Sequence, residues 1–171
     1  MSLVFTNQVY GLRARQNIGP VVSNTTAETD LVNVAIPANF MGTSRVLTFD
    51  STSLITTPAL AIPTLTLTVR FGTSVIATAS SLALAIGQSN SPFRMSGFIS
   101  LDDVANAQTA ITSITMGGTG LPLVLTGTQA LQVNALTEDT TVALNFRITA
   151  QFGGLSSTTS IQQQFTQVVI S

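Results

Sequence analysis

Residues 64–71 of this chain, Thr-Leu-Thr-Leu-Thr-Val-Arg-Phe, alternate strictly between polar and apolar side chains. Side chains of a β-strand point to opposite faces in turn, so this spacing puts the apolar residues from Leu65 to Phe71 on one face. The threonines and Arg70 then lie on the other face. A helix would scatter the same apolar residues around its circumference, so the alternation predicts a β-strand here.

The same alternation recurs over residues 141–152, and the Gly72-Thr73 pair between residues 63–71 and 73–80 predicts a hairpin turn. The apolar positions of the later segment are predicted to face a core: Val142, Leu144, Phe146, Ile148 and Ala150. Proline and glycine residues separate further segments of the same kind, as expected for strand breakers.

Eight strands are predicted in total, and no segment shows a long helical period. They span residues 29–36, 44–52, 63–71, 73–80, 92–101, 109–116, 141–152 and 160–170. A further short strand is possible within residues 129–136. Eight antiparallel strands in one domain predict an all-β protein, an eight-stranded antiparallel jelly-roll sandwich. An Ig-like sandwich is the alternative, because it needs seven to nine strands and the sequence alone does not fix their connectivity.

Residues 1–25 lack this periodicity and are predicted to form an extended N-terminal arm, with one short strand over residues 3–10, ahead of a β-sandwich domain at 26–171. An arm of this kind either frays in solution or lies on a neighbouring molecule. It carries the single tyrosine, Tyr10, and two arginines, Arg13 and Arg15.

Arg13 and Arg15 share one side of an extended chain, because they are two residues apart. A guanidinium fork matches carboxylates on a partner and tolerates burial at an interface better than lysine does. Tyr10, Arg13 and Arg15 are therefore the candidate partner-binding residues. The alternative for the arginines is two solvated side chains on a mobile tail.

Charged residues make up 8% of the chain, against about 25% in an ordinary soluble domain. All 6 basic residues are arginine, and the net charge is -1, so the chain lacks the basic patch that nucleic-acid binding requires. Its polar surface must come from Thr, Ser, Asn and Gln, which suits a protein that packs against others. A biased genome or a neutral secreted domain would also produce this composition.

Histidine and cysteine are both absent, which removes the commonest general base and every thiolate metal ligand. Two acidic pairs, Asp102-Asp103 and Glu138-Asp139, are predicted to be solvated turn carboxylates, with a calcium site as the alternative. No apolar run approaches the roughly 20 residues of a membrane span. We therefore expect no enzyme activity, no cofactor, no metal, no membrane partner and no nucleic acid.

Several stretches resemble small jelly-roll virion proteins of tailed bacteriophages. They are residues 26–31 (TAETDL), 34–39 (VAIPAN), 65–72 (LTLTVRFG), 76–78 (IAT) and 146–152 (FRITAQF). The resemblance covers roughly residues 26–171 and extends to capsid decoration (cement) proteins, head fibres and tail-associated proteins. It implies a trimer or another cyclic oligomer that sits on a capsid lattice.

The expected function is that of a capsid decoration protein that clamps neighbouring major capsid proteins and stabilises the phage head. Its partners would be the major capsid protein and further copies of itself, as a homotrimer on the capsid surface, after synthesis in the host cytoplasm. Arg13 and Arg15 would pair with capsid carboxylates. The alternative is a receptor-binding or adhesin module on a phage fibre or tail, or another minor virion protein.

Overall fold

The computed structural model describes residues 12–42, 44–60, 63–102, 104–116, 132–155 and 158–171. These residues form β-strands and no helix. The strands are β1 (Leu12–Asn17), β2 (Val21–Ser23), β3 (Thr29–Ile36), β4 (Val46–Thr56), β5 (Thr64–Phe71), β6 (Ser74–Ala83), β7 (Ser91–Leu101), β8 (Gln108–Met116), β9 (Gln132–Leu136), β10 (Leu144–Phe152) and β11 (Ser160–Ile170). The strand predicted over residues 3–10 lies outside the described residues.

Two antiparallel sheets stack into a sandwich. The larger has the order β1-β11-β4-β7-β8-β9, with β2 also paired to β11, and the smaller has the order β3-β10-β5-β6. Strands β1, β4, β7 and β11 of one sheet and β3, β5, β6 and β10 of the other make the eight-stranded jelly roll. Strands β8 and β9 extend the larger sheet. The all-β jelly-roll prediction is confirmed, and the eight predicted strands are present as β3 to β8, β10 and β11, whereas β1 lies within the predicted arm.

The described part of the arm belongs to the larger sheet. Strand β1 pairs with β11 without a break from Leu12 opposite Ile170 to Asn17 opposite Phe165. Strand β2 continues along β11 beside Ser160–Gln162. These residues pair with the last strand of their own chain, and β1 forms one edge of the larger sheet. The division of the chain at residue 25 stays a prediction.

The core lies between the two sheets and consists of the side chains of each strand that point inward. Phe49 of β4 and Phe146 of β10 join the sheets, with ring centroids 4.8 Å apart and planes tilted by 43°. The alternation of β5 is as expected, since the apolar residues from Leu65 to Phe71 are buried.

Val142 is the exception among the residues predicted to face the core. Its side chain is 52% exposed, because β10 begins only at Leu144. The residues before it form a turn in which Val142 N donates to Asp139 O at 3.4 Å. The prediction that Val142 faces the core was therefore wrong.

Candidate partner-binding surface

The arginine pair, Arg13 and Arg15, lies on the outer face of the larger sheet, the face turned away from the core. Both side chains are exposed. Arg13 Nη2 donates to Gln167 Oε1 at 3.2 Å, and Arg15 Nε donates to the same oxygen at 3.3 Å. The structure thus brings the two predicted arginines together on one neutral amide. Tyr10 lies outside the described residues, and a binding role for all three residues stays a prediction.

Strand β1 is anchored to the sheet from the core side by a buried glutamine. Gln163 Nε2 donates to Gln16 O and to Thr166 Oγ1, each at 3.0 Å. Gly19 packs against the same side chain so closely that a Cβ there would lie 2.1 Å from Gln163 Oε1. These contacts hold the C-terminal end of β1 against the sheet. Arg13 and Arg15 therefore lie on a strand whose position is fixed.

On the smaller sheet, two other arginines are paired with carboxylates of the same chain. Arg70 and Arg147 lie directly opposite each other on β5 and β10. Glu28 accepts from Arg70 Nε at 2.8 Å and Nη2 at 3.1 Å, and from Thr149 Oγ1 at 2.7 Å. These hydrogen bonds hold the pKa of Glu28 below its ordinary value. Asp30 faces Arg147 at 3.6 Å, so the pair of arginines is neutralised locally.

The outer face of the larger sheet carries one further ion pair. Arg94 on β7 donates two hydrogen bonds to Asp50 on β4, from Nε to Oδ1 at 2.8 Å and from Nη2 to Oδ2 at 2.7 Å. The two side chains remain largely exposed. This pair is neutral as a unit and adds no net charge to the outer face.

Glu138 is the carboxylate that sequence reasoning misjudged. It is 9% exposed, and its Oε1 accepts from the backbone N and the hydroxyl of both Thr73 and Ser74, at 2.6 to 2.9 Å. Burial raises the pKa of Glu138, but the hydrogen bonds from Ser74 and Thr73 outweigh it, and the net pKa lies below the ordinary value. The prediction of a solvated carboxylate was wrong here, because the partners come from a hairpin more than 60 residues away.

Glu138 holds the β5–β6 turn in place. Gly72, at the start of that turn, has φ of +61°, and a Cβ there would lie 2.2 Å from Glu138 Oε2. The groups around Oε1 are donors, which is the opposite of what a cation requires. Among the described residues, no group of three or more acidic, histidine or cysteine side chains could hold a metal ion.

The two remaining described carboxylates are also engaged. Asp139 Oδ1 accepts from the backbone N of Thr141 at 2.9 Å and from its hydroxyl at 2.6 Å. Asp102 Oδ2 accepts from Thr109 Oγ1 at 3.0 Å. Asp103 lies outside the described residues. Every described carboxylate therefore has a partner within the chain.

The arginine pair differs from Arg70, Arg94 and Arg147, which face carboxylates, and from Arg45, which is half-buried. Arg45 donates to Phe40 O at 2.8 Å and lies over the Phe40 ring, 4.9 Å from its centroid. Arg13 and Arg15 have only the Gln167 amide, with no carboxylate within ion-pair distance in the part of the chain that the structure describes. They are two adjacent, exposed and uncompensated positive charges.

A row of directly opposed residues crosses the same outer face from the arginine pair to the far edge. In strand order the row is Arg13, Val169, Thr48, Phe98, Ile111 and Val133. Phe98 is 38% exposed and Val133 is 59% exposed. Sequence reasoning missed this row because it depends on register between strands. One sign of this row was present in the sequence: Phe98 lies four residues after Arg94 on the same strand, so both side chains point outward.

The smaller sheet has an open pocket of about 390 Å³ beside the β5–β6 turn. It is lined by Arg70, Gly72, Thr73, Ala143, Leu144, Asn145 and Arg147. Its two guanidinium groups are already engaged by carboxylates. The pocket offers polar contacts and backbone groups, and its lining includes no aromatic ring on which a sugar could stack.

In the described part of the chain, no helix is long and apolar enough to cross a membrane. Comparison with known proteins found no family model that matches the sequence, and no curated protein matches it.

Solved structures that match this chain include the CBM2 module of the evolved Dit of Lactobacillus casei BL23 phage J-1. That module is 16% identical, with a TM-score of 0.36 over 80% of this chain and 67% of the module's chain. Peanut lectin is 9% identical, with a TM-score of 0.40 over 94% and 97% of the two chains. Lectin UEA-II is 9% identical, with a TM-score of 0.35 over 96% and 94%. The fold assignment rests on the strand pairing of this chain itself.

Proposed function

We propose that this chain is a structural protein of a bacteriophage virion, a capsid decoration protein that binds major capsid proteins through the outer face of its larger sheet. The observation that carries the proposal is the arginine pair. Arg13 and Arg15 are exposed, adjacent and without a carboxylate of their own among the described residues. The virion assignment draws on the resemblance of residues 26–171 to small phage proteins and on the low charge of the chain.

The outer face combines two kinds of contact that a stable interface uses. Phe98, Ile111 and Val133 form its apolar side, and burial of such surface contributes about 25 cal/mol per Å². Arg13 and Arg15 at the opposite edge would select a partner that carries carboxylates there. The neutral Asp50–Arg94 pair between them adds no net charge.

The proposed assembly is a homotrimer on the capsid surface. Three copies that each bind a capsid protein would raise the overall affinity well above that of one copy, because the second and third contacts become intramolecular. A modest affinity per copy would then be enough to hold neighbouring capsid proteins together.

The test is co-sedimentation with purified capsids of the phage that encodes the chain. The double substitution Arg13→Gln with Arg15→Gln is expected to lower occupancy strongly, whereas wild-type protein binds. Deletion of residues 1–25 is unsuitable, because it removes strands β1 and β2 from the sheet.

A matched control removes two charges from the same face without altering its net charge. The double substitution Asp50→Asn with Arg94→Gln is expected to leave occupancy near the wild-type level. Normal occupancy of the arginine-pair variant would contradict the proposal, as would an equal loss in the two double variants.

A second candidate function is a receptor-binding or adhesin module. The pocket beside Arg70 and Arg147 favours it, because an open pocket with polar lining accepts a small ligand. A glycan array probed with the purified protein tests this candidate. Binding that is lost on Asn145→Ala but kept in the arginine-pair variant would favour the adhesin function over the capsid function.

A further inference from the structure

We infer that the free side of β1 accepts an extended segment of another protein, and that this segment carries acidic side chains at alternate positions. The inference rests on the proposed function for the identity of the partner, a capsid protein. The chemistry that recognises the segment follows from β1 itself, and it can be tested without capsids.

The backbone groups of β1 are oriented for an added strand. Ser171 and Val46 exchange two hydrogen bonds, at 2.9 and 3.1 Å, so in the part of β11 that follows the register shift, residues 165–170, the odd-numbered residues direct their backbone groups toward β4. Antiparallel ladders alternate, so even-numbered residues of β11 bond to β1. The uninterrupted register then leaves the N–H and C=O groups of Arg13, Arg15 and Asn17 pointing away from the sheet.

The same two residues carry the uncompensated charges. An added antiparallel strand would place its side chains directly opposite Arg13 and Arg15, with Cβ atoms about 4.5–5.5 Å apart. Side chains two residues apart on that strand share the outer face with the arginine pair. Aspartate or glutamate at alternate positions would therefore meet both guanidinium groups at once.

A second copy of this chain is a poor occupant of the same edge. Every described carboxylate is already held within its own chain. Two β1 strands paired with each other would also set arginine against arginine, which is destabilising. The arginine pair thus disfavours self-pairing and favours an acidic partner, which is how specificity at an exposed edge is commonly achieved.

The edge strand β6, unlike β1, is covered by side chains of β9. On β6, the backbone N and O of Thr78 bond to the side-chain amide of Gln132 at 2.9 and 2.7 Å. Asn134 Nδ2 donates to the backbone O of Ile76 at 2.7 Å. Among the residues described, nothing covers the free side of β1 in this way.

The experiment uses the full chain, labelled with ¹⁵N, and a synthetic peptide with blocked ends, Thr-Val-Glu-Val-Glu-Val-Thr. The matched control peptide has glutamine in place of both glutamates. Amide hydrogen exchange is followed residue by residue. At saturating acidic peptide, the amides of Arg13, Arg15 and Asn17 are expected to exchange at least about tenfold more slowly. The amides of Ala14 and Gln16, already bonded to β11, serve as internal controls.

Charge recognition is measured separately from strand addition. The glutamine peptide is expected to bind roughly fivefold more weakly, since two exposed ion pairs are lost. The double substitution Arg13→Gln with Arg15→Gln should abolish the difference between the two peptides.

Three results would overturn the inference: no binding of the acidic peptide at millimolar concentration, binding without slower exchange at the three outward amides, or equal affinity for the two peptides. The capsid experiment has an independent outcome. Peptide binding with failed capsid binding would retain the edge inference and reject the decoration function. The reverse would retain the function and reject strand addition.

Discussion

The substitution Glu138→Ala removes one carboxylate oxygen that accepts four hydrogen bonds from the β5–β6 turn. The hydroxyls of Thr73 and Ser74 can rotate toward other acceptors, but their two backbone N–H groups cannot. A hydrogen bond to a charged group contributes about 1.5–3 kcal/mol, and two such backbone hydrogen bonds are lost. We expect the free energy of unfolding to fall by about 3–5 kcal/mol.

A loss of this size is a large share of the stability of one domain, which is about 5–15 kcal/mol. For a chain of this length it corresponds to a fall in melting temperature of roughly 10 °C. The assay is urea denaturation followed by far-UV circular dichroism, because the chain has no tryptophan. Wild type, Glu138→Ala and the control are measured under the same conditions.

The adjacent carboxylate supplies the control. The carboxylate of Asp139 accepts from Thr141, two residues away, at an exposed position, so Asp139→Ala is expected to cost below about 1 kcal/mol. Glu138→Gln keeps one acceptor oxygen and should fall between the two. A loss below about 1 kcal/mol for Glu138→Ala, or a loss equal to that of Asp139→Ala, would refute the role assigned to Glu138.

Three further predictions follow from the same region and from the covered edge. Because the folded pKa of Glu138 lies below its ordinary value of 4.5, its stabilisation is present above that pH and lost as pH falls through the folded pKa. Denaturation curves should show this acid loss in wild type and a smaller one in Glu138→Gln. Gly72→Ala should lower the free energy of unfolding by about 2 kcal/mol more than Gly42→Ala. Both glycines have φ near +60°, but only at Gly72 would the added Cβ clash with Glu138 Oε2. Equal losses would contradict the clash. Gln132→Ala should lower stability by about 1–2 kcal/mol and increase concentration-dependent association, because it uncovers the β6 edge at Thr78; an unchanged sedimentation profile would contradict that role.

Alternation of polar and apolar residues, with the breakers between them, was enough to predict the fold class and eight of the nine described strands after residue 25, while β9 was given only as a possible strand. It worked best on β5, where each apolar residue is buried and each outward residue is polar. It failed at Val142, because a turn set by Asp139 and Thr141 delays the start of β10. Local hydrogen bonding overrode the periodic pattern at that point.

Strand β1 could not be recognised from its own residues. Its core-facing positions include Ala14 and Gln16, which give no strong apolar signal. What holds it in place is the ladder with β11 and the Gln163 amide, both more than 140 residues away in sequence. That Arg13 and Arg15 lie on one side of an extended segment was expected, whereas the pairing of that segment with β11 was not.

Glu138 and the apolar row at Phe98 were missed for a related reason. Each depends on which residues become neighbours across strands, and register is not encoded in a single segment. The hydroxyls of Thr73 and Ser74 gave no sign in the sequence of a buried acceptor 64 or 65 residues further on.

The central claim, that this protein binds a phage capsid, is tested most directly by the occupancy of wild-type protein on purified capsids across a range of salt concentrations. We expect saturable binding with a fixed number of copies per capsid, and weaker binding as salt screens the arginine pair. Absence of binding at low salt, with a folded protein and intact capsids, would contradict it.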